Sequence, residues 1–187
     1  MMKYPNKIKK VGNKNIDFAN RGMTLESDIN ITNDYYKKHN IALIYKRPTP
    51  IKVVNVKYEN NDHEITKAFF EKKSTTDYNG IYKGKYIDFE VKEINSNVFP
   101  ISNIHKHQLK HIFSVIENGG ISFIIIRFKK KNETYYLDGN KLKIYLKNNL
   151  KKSIPYEYFV NEGFLIKENY YTRVNYIEII DKLYFGG

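Results

Sequence analysis

The fold of this chain is decided by residues 74–92, which read STTDYNGIYKGKYIDFEVK. In the second half of this stretch apolar and polar side chains alternate, which is typical of a half-buried β-strand. The preceding Lys83-Gly84 pair can form a two-residue hairpin turn, because glycine adopts positive φ at little cost. The stretch therefore predicts a β-hairpin whose second strand ends near Lys92.

The turn determines which side chains of the hairpin face each other. Counting outward from that turn places Asp77 opposite Glu90 and Thr75 opposite Lys92. Carboxylates that face each other across a ladder have Cβ atoms about 5 Å apart, and they repel each other unless a cation lies between them. The hairpin therefore predicts a cation site.

A hard divalent ion suits this site. Mg²⁺ takes oxygen ligands from one or two carboxylates and completes its octahedron with water and substrate phosphate. Lys92, just beyond the carboxylates, can orient the attacking water or neutralise the charge that grows on a pentacovalent phosphate. The predicted catalytic residues are therefore Asp77, Glu90 and Lys92.

The same residues match the D-(x)n-(D/E)-x-K pattern of restriction-endonuclease-like nucleases, but this pattern is weak by itself. Glu-x-Lys is frequent in any lysine-rich chain and usually lies on a solvated strand face. Asn79-Gly80 is also a stronger turn dipeptide than the Lys-Gly pair. A turn there would pair Asp77 with Tyr82 and would abolish the cation site.

Several longer segments occur in the order seen in the RecU family, which comprises the Holliday junction resolvases of low-GC Gram-positive bacteria and their relatives. These segments are residues 20–26 (NRGMTLE), 46–50 (KRPTP), 74–80 (STTDYNG), 86–93 (YIDFEVKE), 99–100 (FP), 105–108 (HKHQ) and 175–185 (NYIEIIDKLYF). The chain resembles that family over nearly its whole length. Several long motifs in one order are far more specific than Glu-x-Lys.

The resemblance implies an α/β fold with a mixed central sheet flanked by helices, similar to the restriction-endonuclease core, and a protruding stalk at about residues 51–73. It implies a structure-specific endonuclease that resolves Holliday junctions by Mg²⁺-dependent phosphodiester hydrolysis in recombination and DNA repair, with Mn²⁺ as an alternative ion. A homodimer is implied because a four-way junction has near two-fold symmetry and two opposed strands must be cut. The RecA recombinase is a further implied partner.

The resemblance also implies roles for single residues. The position that matches Lys92 stabilises the transition state, and the positions that hold the metal match Thr75, Asp77, Glu90 and Gln108. Gln108 lies on the apolar stripe of a predicted helix, where an inward-facing amide needs a partner. A hydrogen bond to a neighbouring backbone group is one interpretation. An amide oxygen on the metal is the other, and the resemblance favours it.

The charge of the chain favours a polyanionic partner. Its 187 residues include 32 basic and 20 acidic side chains, which gives a net charge of +12. Nucleic acid is the first candidate because no hydrophobic span or membrane anchor accompanies the charge. Part of the positive charge is explained by AT-biased coding, which is visible in the excess of lysine over arginine. The expected DNA contacts are Arg21, Lys52, Lys57, Lys67, Lys72 and Lys73.

The N-terminal region differs in character from the rest of the chain. Residues 1–19 are basic, rich in asparagine and without periodicity, which predicts a flexible arm ahead of a nuclease domain at residues 20–187. The absence of cysteine excludes disulfides and thiolate metal sites. The N-terminus has no apolar segment typical of a secretory signal. We therefore expect a cytoplasmic protein without a membrane partner.

Other elements follow from periodicity and capping signals. A first helix is expected to begin after Thr24. Glu26 in its first turn either complements the helix dipole, which we slightly prefer, or points toward the hairpin site. Residues 41–45 predict a short buried strand. A later helix is expected to be capped by Ser102 or Asn103 and to end at Gly119-Gly120.

Three histidines cluster near that later helix, at His105, His107 and His111. Zinc is not expected there, because no third convincing ligand and no HExxH arrangement accompany them. Exposed or phosphate-contacting histidines are the preferred interpretation.

Two rival functions remain compatible with these residues. A non-catalytic nucleic-acid binder would use the lysines together with tyrosine and phenylalanine as stacking surfaces. A nuclease of the same fold would cut linear DNA in preference to junctions.

Overall fold

The computed structural model describes residues 24–59, 62–71 and 75–186. The expected N-terminal arm at residues 1–19 lies outside the described residues, and so do Arg21, Lys72 and Lys73.

Helices and strands alternate irregularly along the described chain. The helices are α1 (Leu25–Lys38), α2 (Lys106–Glu117), α3 (Gly139–Asn148), α4 (Tyr156–Glu162) and α5 (Tyr176–Tyr184), with a 3₁₀ turn at Ile101–Asn103. The strands are β1 (Leu43–Lys46), β2 (Ile51–Glu59), β3 (Asp62–Phe70), β4 (Tyr78–Tyr82), β5 (Lys85–Ile94), β6 (Val98–Pro100), β7 (Ile121–Phe128), β8 (Glu133–Asp138), β9 (Ser153–Pro155) and β10 (Phe164–Leu165).

The centre of the molecule is a six-stranded sheet in the order β1-β4-β5-β7-β8-β10. Strands β5 and β7 pair in parallel and the other neighbours are antiparallel, so the sheet is mixed. Helices α1 and α5 bury apolar side chains on one face, with Phe89 and Phe123 of the sheet. Helices α2, α3 and α4 cover the other face, with Ile124 and Ile126. The predicted α/β fold with helices on a mixed sheet is confirmed.

The predicted hairpin is confirmed with its register. Tyr82 pairs with Lys85, and Lys83 and Gly84 take positive φ angles of 45° and 75° in the turn. The competing turn at Asn79-Gly80 does not form, because both residues lie within β4. A Cβ on Gly80 would come 2.0 Å from the Leu43 carbonyl oxygen, so this glycine permits the close approach of β1.

The expectation that β5 is half-buried is wrong. Its polar face lies under α2, and Asp88 and Glu90 on that face are completely buried. The strand is central in the sheet, so both of its faces are covered by helices. Two adjacent acidic side chains therefore lie inside the protein, where each needs partners.

The helix ends agree with the sequence in part. Thr24 caps α1 by accepting a hydrogen bond from the Ser27 amide at 3.2 Å, as predicted. Ser102 and Asn103 do not cap α2, because they form the 3₁₀ turn and the helix begins after His105. Helix α2 terminates at Glu117, just before the predicted Gly119-Gly120 pair, and Gly119 has a φ of +79°.

The short strand predicted at residues 41–45 is present as β1, but the prediction that it is buried is wrong, because β1 lies at one edge of the sheet. Ile44 is buried, whereas Leu43 and Tyr45 are about half exposed. Within the described residues, the next two strands, β2 and β3, pair only with each other, and their side chains belong to neither core cluster. This two-stranded element occupies most of the segment predicted as the stalk. No helix in the described part of the chain is long and apolar enough to cross a membrane.

Candidate active site

The β4–β5 hairpin brings the two predicted catalytic carboxylates together. The Asp77 backbone amide, just before β4, donates a hydrogen bond to Glu90 Oε2 at 3.1 Å. The Glu90 side chain is completely buried, whereas the Asp77 side chain keeps 14% of its surface exposed. The pair therefore joins one interior carboxylate to one that solvent reaches.

Lys92 supplies a positive charge to both carboxylates. Its Nζ pairs directly with Glu90 Oε1 and lies 3.7 Å from Asp77 Oδ2. The lysine side chain is 28% exposed. The three predicted catalytic side chains thus form one cluster with an accessible side.

The electrostatics of this cluster centre on Glu90. Burial raises the pKa of its carboxyl to about 7, although the Lys92 ammonium opposes the rise and the Asp77 carboxylate adds to it. A second cation beside Glu90 would favour the ionised form further. Because the carboxyl is so strongly desolvated, its protonation and any cation binding are expected to compete near neutral pH.

Gln108 reaches the same cluster from α2. Its side-chain nitrogen donates to Glu90 Oε2 at 2.8 Å, and its oxygen accepts from the His105 backbone amide at 2.9 Å. The His105 ring accepts from the Gln108 backbone amide in return, which completes a capping box. The amide oxygen therefore bonds a neighbouring backbone group in this structure. A metal contact through that oxygen would use its second lone pair.

Beside the cluster lies a second group of polar side chains around Asp88. Thr76 Oγ1 donates to Asp88 Oδ1. Asp88 Oδ2 accepts from Arg47 Nη2 at 2.7 Å and from the Tyr86 hydroxyl at 3.1 Å, and it lies 3.1 Å from His111 Nε2. Each oxygen of this buried carboxylate thus has at least one partner.

The sequence prediction did not include these residues in the site. Arg47 lies in the 46–50 segment of the resemblance, and Asp88 shares its strand face with Glu90, so both signals were present. Arg47 and Asp88 are separated by 41 positions in the sequence, and Asp88 and His111 are separated by 23. No local pattern predicts pairs at that separation.

Two comparisons with known proteins identify the family of the chain. A family model described as "Recombination protein U" matches residues 20–182, which is most of the chain. The chain belongs to the RecU family. It is similar to proteins named "Holliday junction resolvase RecU" from three bacteria. It is 48% identical to that of Oceanobacillus iheyensis, with 98% of this chain and 100% of the relative covered, and 45% identical to that of Geobacillus kaustophilus, with 98% of each covered. It is 42% identical to that of Streptococcus agalactiae, with 100% and 98% covered.

Glu26 and the described lysines of the DNA prediction for this RecU protein lie on other parts of the surface. Glu26 pairs with Lys46 at 2.5 Å and both side chains are about half exposed. Glu26 thus points toward β1, while its backbone carbonyl faces the Tyr78 hydroxyl at 3.4 Å. Lys52, Lys57 and Lys67 lie on β2 and β3, where the side chains are largely exposed.

Across the described residues of this RecU chain, no three His, Cys, Asp or Glu side chains gather closely enough to hold a metal together. Within the hairpin cluster, the acidic side chains are those of Asp77 and Glu90. That number suits Mg²⁺, which commonly keeps several waters and binds substrate phosphate. The donor set is made of oxygen atoms, as a hard cation requires.

Proposed function

We propose that this RecU protein is a structure-specific endodeoxyribonuclease that resolves Holliday junctions by divalent-metal-dependent hydrolysis of phosphodiester bonds. The observation that carries the proposal is the cluster of Asp77, Glu90 and Lys92 at one end of the hairpin. The names of its relatives support the four-way junction as substrate. Mg²⁺ is the proposed ion and Mn²⁺ the alternative.

Asp77 and Glu90 would hold the ion, together with Thr75, which lies two residues before Asp77, and Gln108, which contacts Glu90. When bound, such an ion polarises a phosphoryl oxygen and lowers the pKa of a bound water. Burial of Glu90 serves the binding of the ion, because a carboxylate in a dry site attracts a cation more strongly than a solvated one does.

Lys92 is the proposed transition-state residue. Its ammonium is fixed by Glu90 and remains part-exposed, so it can contact a phosphate that lies against the carboxylates. Negative charge grows on the phosphoryl oxygens as the nucleophile attacks, and a fixed cation beside them lowers the barrier. Asp77, also part-exposed, can accept a hydrogen bond from the attacking water.

The wider surface supports DNA as the partner. The chain carries a net charge of +12, and Lys52, Lys57 and Lys67 project from the β2–β3 element. Phosphate contacts from such lysines position a protein on DNA without reading its sequence. The proposal also includes a homodimer that cuts two opposed strands, the RecA recombinase as a partner, and a cytoplasmic location, all of which rest on the family.

The deciding experiment incubates purified protein with a labelled four-way junction, linear duplex or single strand, in Mg²⁺ or in EDTA. Asp77→Ala and Lys92→Ala are compared with Lys143→Ala, which removes an exposed lysine of α3 that pairs with Glu117. We expect symmetric nicking of the junction that needs Mg²⁺, survives Lys143→Ala and is abolished in the two site variants, with junction binding retained.

Other outcomes of that experiment select the rival functions. Binding without cleavage under any divalent ion would make the protein a non-catalytic binder. Equal cleavage of linear duplex would keep the nuclease and reject the junction as its preferred substrate.

A further inference from the structure

Asp88 is a buried carboxylate to which the proposed chemistry assigns no role. It lies on β5 two residues before Glu90, on the same strand face, and it is completely buried. A carboxylate in such a place is costly unless charged and hydrogen-bonded partners surround it. Here the partners are Arg47, Thr76, Tyr86 and His111, which come from four separate parts of the chain.

One of these partners lies within the segment that carries the proposed metal ligands. Thr76 stands between Thr75 and Asp77, and it is 1% exposed because its hydroxyl points inward to Asp88. The hydrogen bond fixes the middle residue of the segment to the central strand of the sheet. That contact is one of the restraints on the two flanking residues.

Arg47 holds the same segment at a second point. Its backbone amide donates to the Asp77 carbonyl at 2.8 Å, while its Nη2 donates to Asp88 at 2.7 Å. Its Nε donates to Asn79 Oδ1 at 3.1 Å. The guanidinium thus ties the end of β1 to β4 and β5 around the segment, in the forked geometry that lysine does not provide.

We propose that Asp88, Thr76 and Arg47 form a positioning unit that holds residues 75–77 in the geometry needed to receive the divalent ion. The inference rests on the proposed function, since it assumes that Thr75 and Asp77 are ligands. The proposal gives none of the three a contact with the reacting phosphate, and each acts through the residues it holds. Partners that orient metal ligands typically change metal affinity or activity by about 10–100-fold when removed.

The test compares Thr76→Val, which keeps the shape of the side chain and removes the hydroxyl, with Thr76→Ser, which retains the hydroxyl. Mg²⁺ binding to the DNA-free protein is measured by calorimetry, and the Mg²⁺ concentration for half-maximal nicking of a junction is measured separately. We expect Thr76→Val to weaken both by about 10–100-fold and Thr76→Ser to remain close to the wild type. Junction binding in EDTA should be unchanged in both.

Thr32→Val is the matched control, because it also removes the hydroxyl of a buried threonine, but that hydroxyl bonds the Asp28 carbonyl and the Val174 amide, away from residues 75–77. We expect its Mg²⁺ affinity to equal that of the wild type. Wild-type affinity in Thr76→Val, or equal losses in Thr76→Val and Thr32→Val, would overturn the positioning role.

Two further measurements keep the outcomes apart. If thermal unfolding in EDTA shows that Thr76→Val does not fold, Asp88→Asn takes its place, and wild-type Mg²⁺ affinity in that variant rejects the inference. If the wild type neither binds Mg²⁺ nor cuts a junction, the proposed function fails together with this inference. If the wild type binds and cuts while Thr76→Val matches it, the inference alone fails.

Discussion

The Lys92 ammonium pairs with the carboxylate of Glu90, two residues earlier on the same strand. Side chains two residues apart on a strand share a face, so β5 itself holds the pair together. Asp77 completes the cluster from the facing strand end, 3.7 Å from the lysine. The lysine thus neutralises two carboxylates while part of its surface remains exposed. Its proposed role in catalysis can be tested separately from its contribution to DNA affinity.

Lys92→Met keeps the length of the side chain and removes its charge. We expect single-turnover nicking to fall by about 10²–10³-fold, the reduction that follows removal of one group stabilising transition-state charge. Junction affinity in Ca²⁺ should change by less than about threefold, because one lysine contributes little to a highly basic surface. Lys143→Met on α3 is the matched control, and equal nicking rates in the two variants would contradict the assignment of Lys92.

Gln108→Met tests the two interpretations of the amide. The variant removes the helix cap and the hydrogen bond to Glu90, so we expect the free energy of unfolding in EDTA to fall by about 1–2 kcal/mol. If the amide also serves the metal, Mg²⁺ affinity measured by calorimetry should fall about tenfold. Thr24→Ala, which removes the cap of α1 far along the chain, should lower stability alone. If Gln108→Met loses stability but keeps wild-type Mg²⁺ affinity, as expected for Thr24→Ala, then Gln108 caps the helix and does not serve the metal.

The sequence predicted the hairpin and its register because both depend on neighbours in the chain. Lys83 and Gly84 take the positive φ angles that a two-residue turn requires, and the alternation of β5 then fixes which side chains share a face. Asn79-Gly80 was the stronger turn signal in isolation. The structure needs Gly80 for a different reason, the close approach of β1, and that approach depends on tertiary packing.

The parts that the sequence did not predict depend on long-range contacts. Full burial of Asp88 and Glu90 follows from α2 packing over β5, and an alternating pattern cannot distinguish a covered polar face from a solvated one. The start of α2 was misplaced for a related reason. The cap there is His105 with Gln108, instead of a serine or asparagine, and this glutamine is held in place by Glu90.

The lysines of β2 and β3 should contribute affinity without contributing chemistry. A combined Lys52→Ala, Lys57→Ala and Lys67→Ala variant should bind the junction more weakly than the wild type. The slope of its log Kd against log salt should be smaller by about 0.7–0.9 for each phosphate that it no longer neutralises. Fluorescence anisotropy in EDTA over a range of KCl measures this slope. The control removes Lys143 and Lys182, which pair with carboxylates on helices. Equal slopes in the two variants would show that the β2–β3 element does not contact DNA.

The raised pKa of Glu90 makes the stability of the ion-free protein depend on pH. The carboxyl titrates near 4.5 when unfolded and at about 7 when folded, so the folded state binds the proton more tightly. The resulting stabilisation is fully present below pH 4.5 and is lost as pH rises through 7, by at most about 3 kcal/mol. Urea unfolding in EDTA should therefore show wild-type stability falling between pH 5 and pH 8 relative to Glu90→Gln, which cannot titrate.

Mg²⁺ should reverse this dependence, because the ion binds the ionised carboxylate and its affinity should rise as pH increases through about 7. Glu162→Gln is the control, since Glu162 is an exposed carboxylate that pairs with Lys141 away from the cluster. That variant should follow the wild-type pH profile in EDTA. Parallel pH profiles for the wild type and Glu90→Gln would mean that Glu90 titrates at an ordinary pKa. The burial of Glu90 would then not set the pH range in which the site binds a cation.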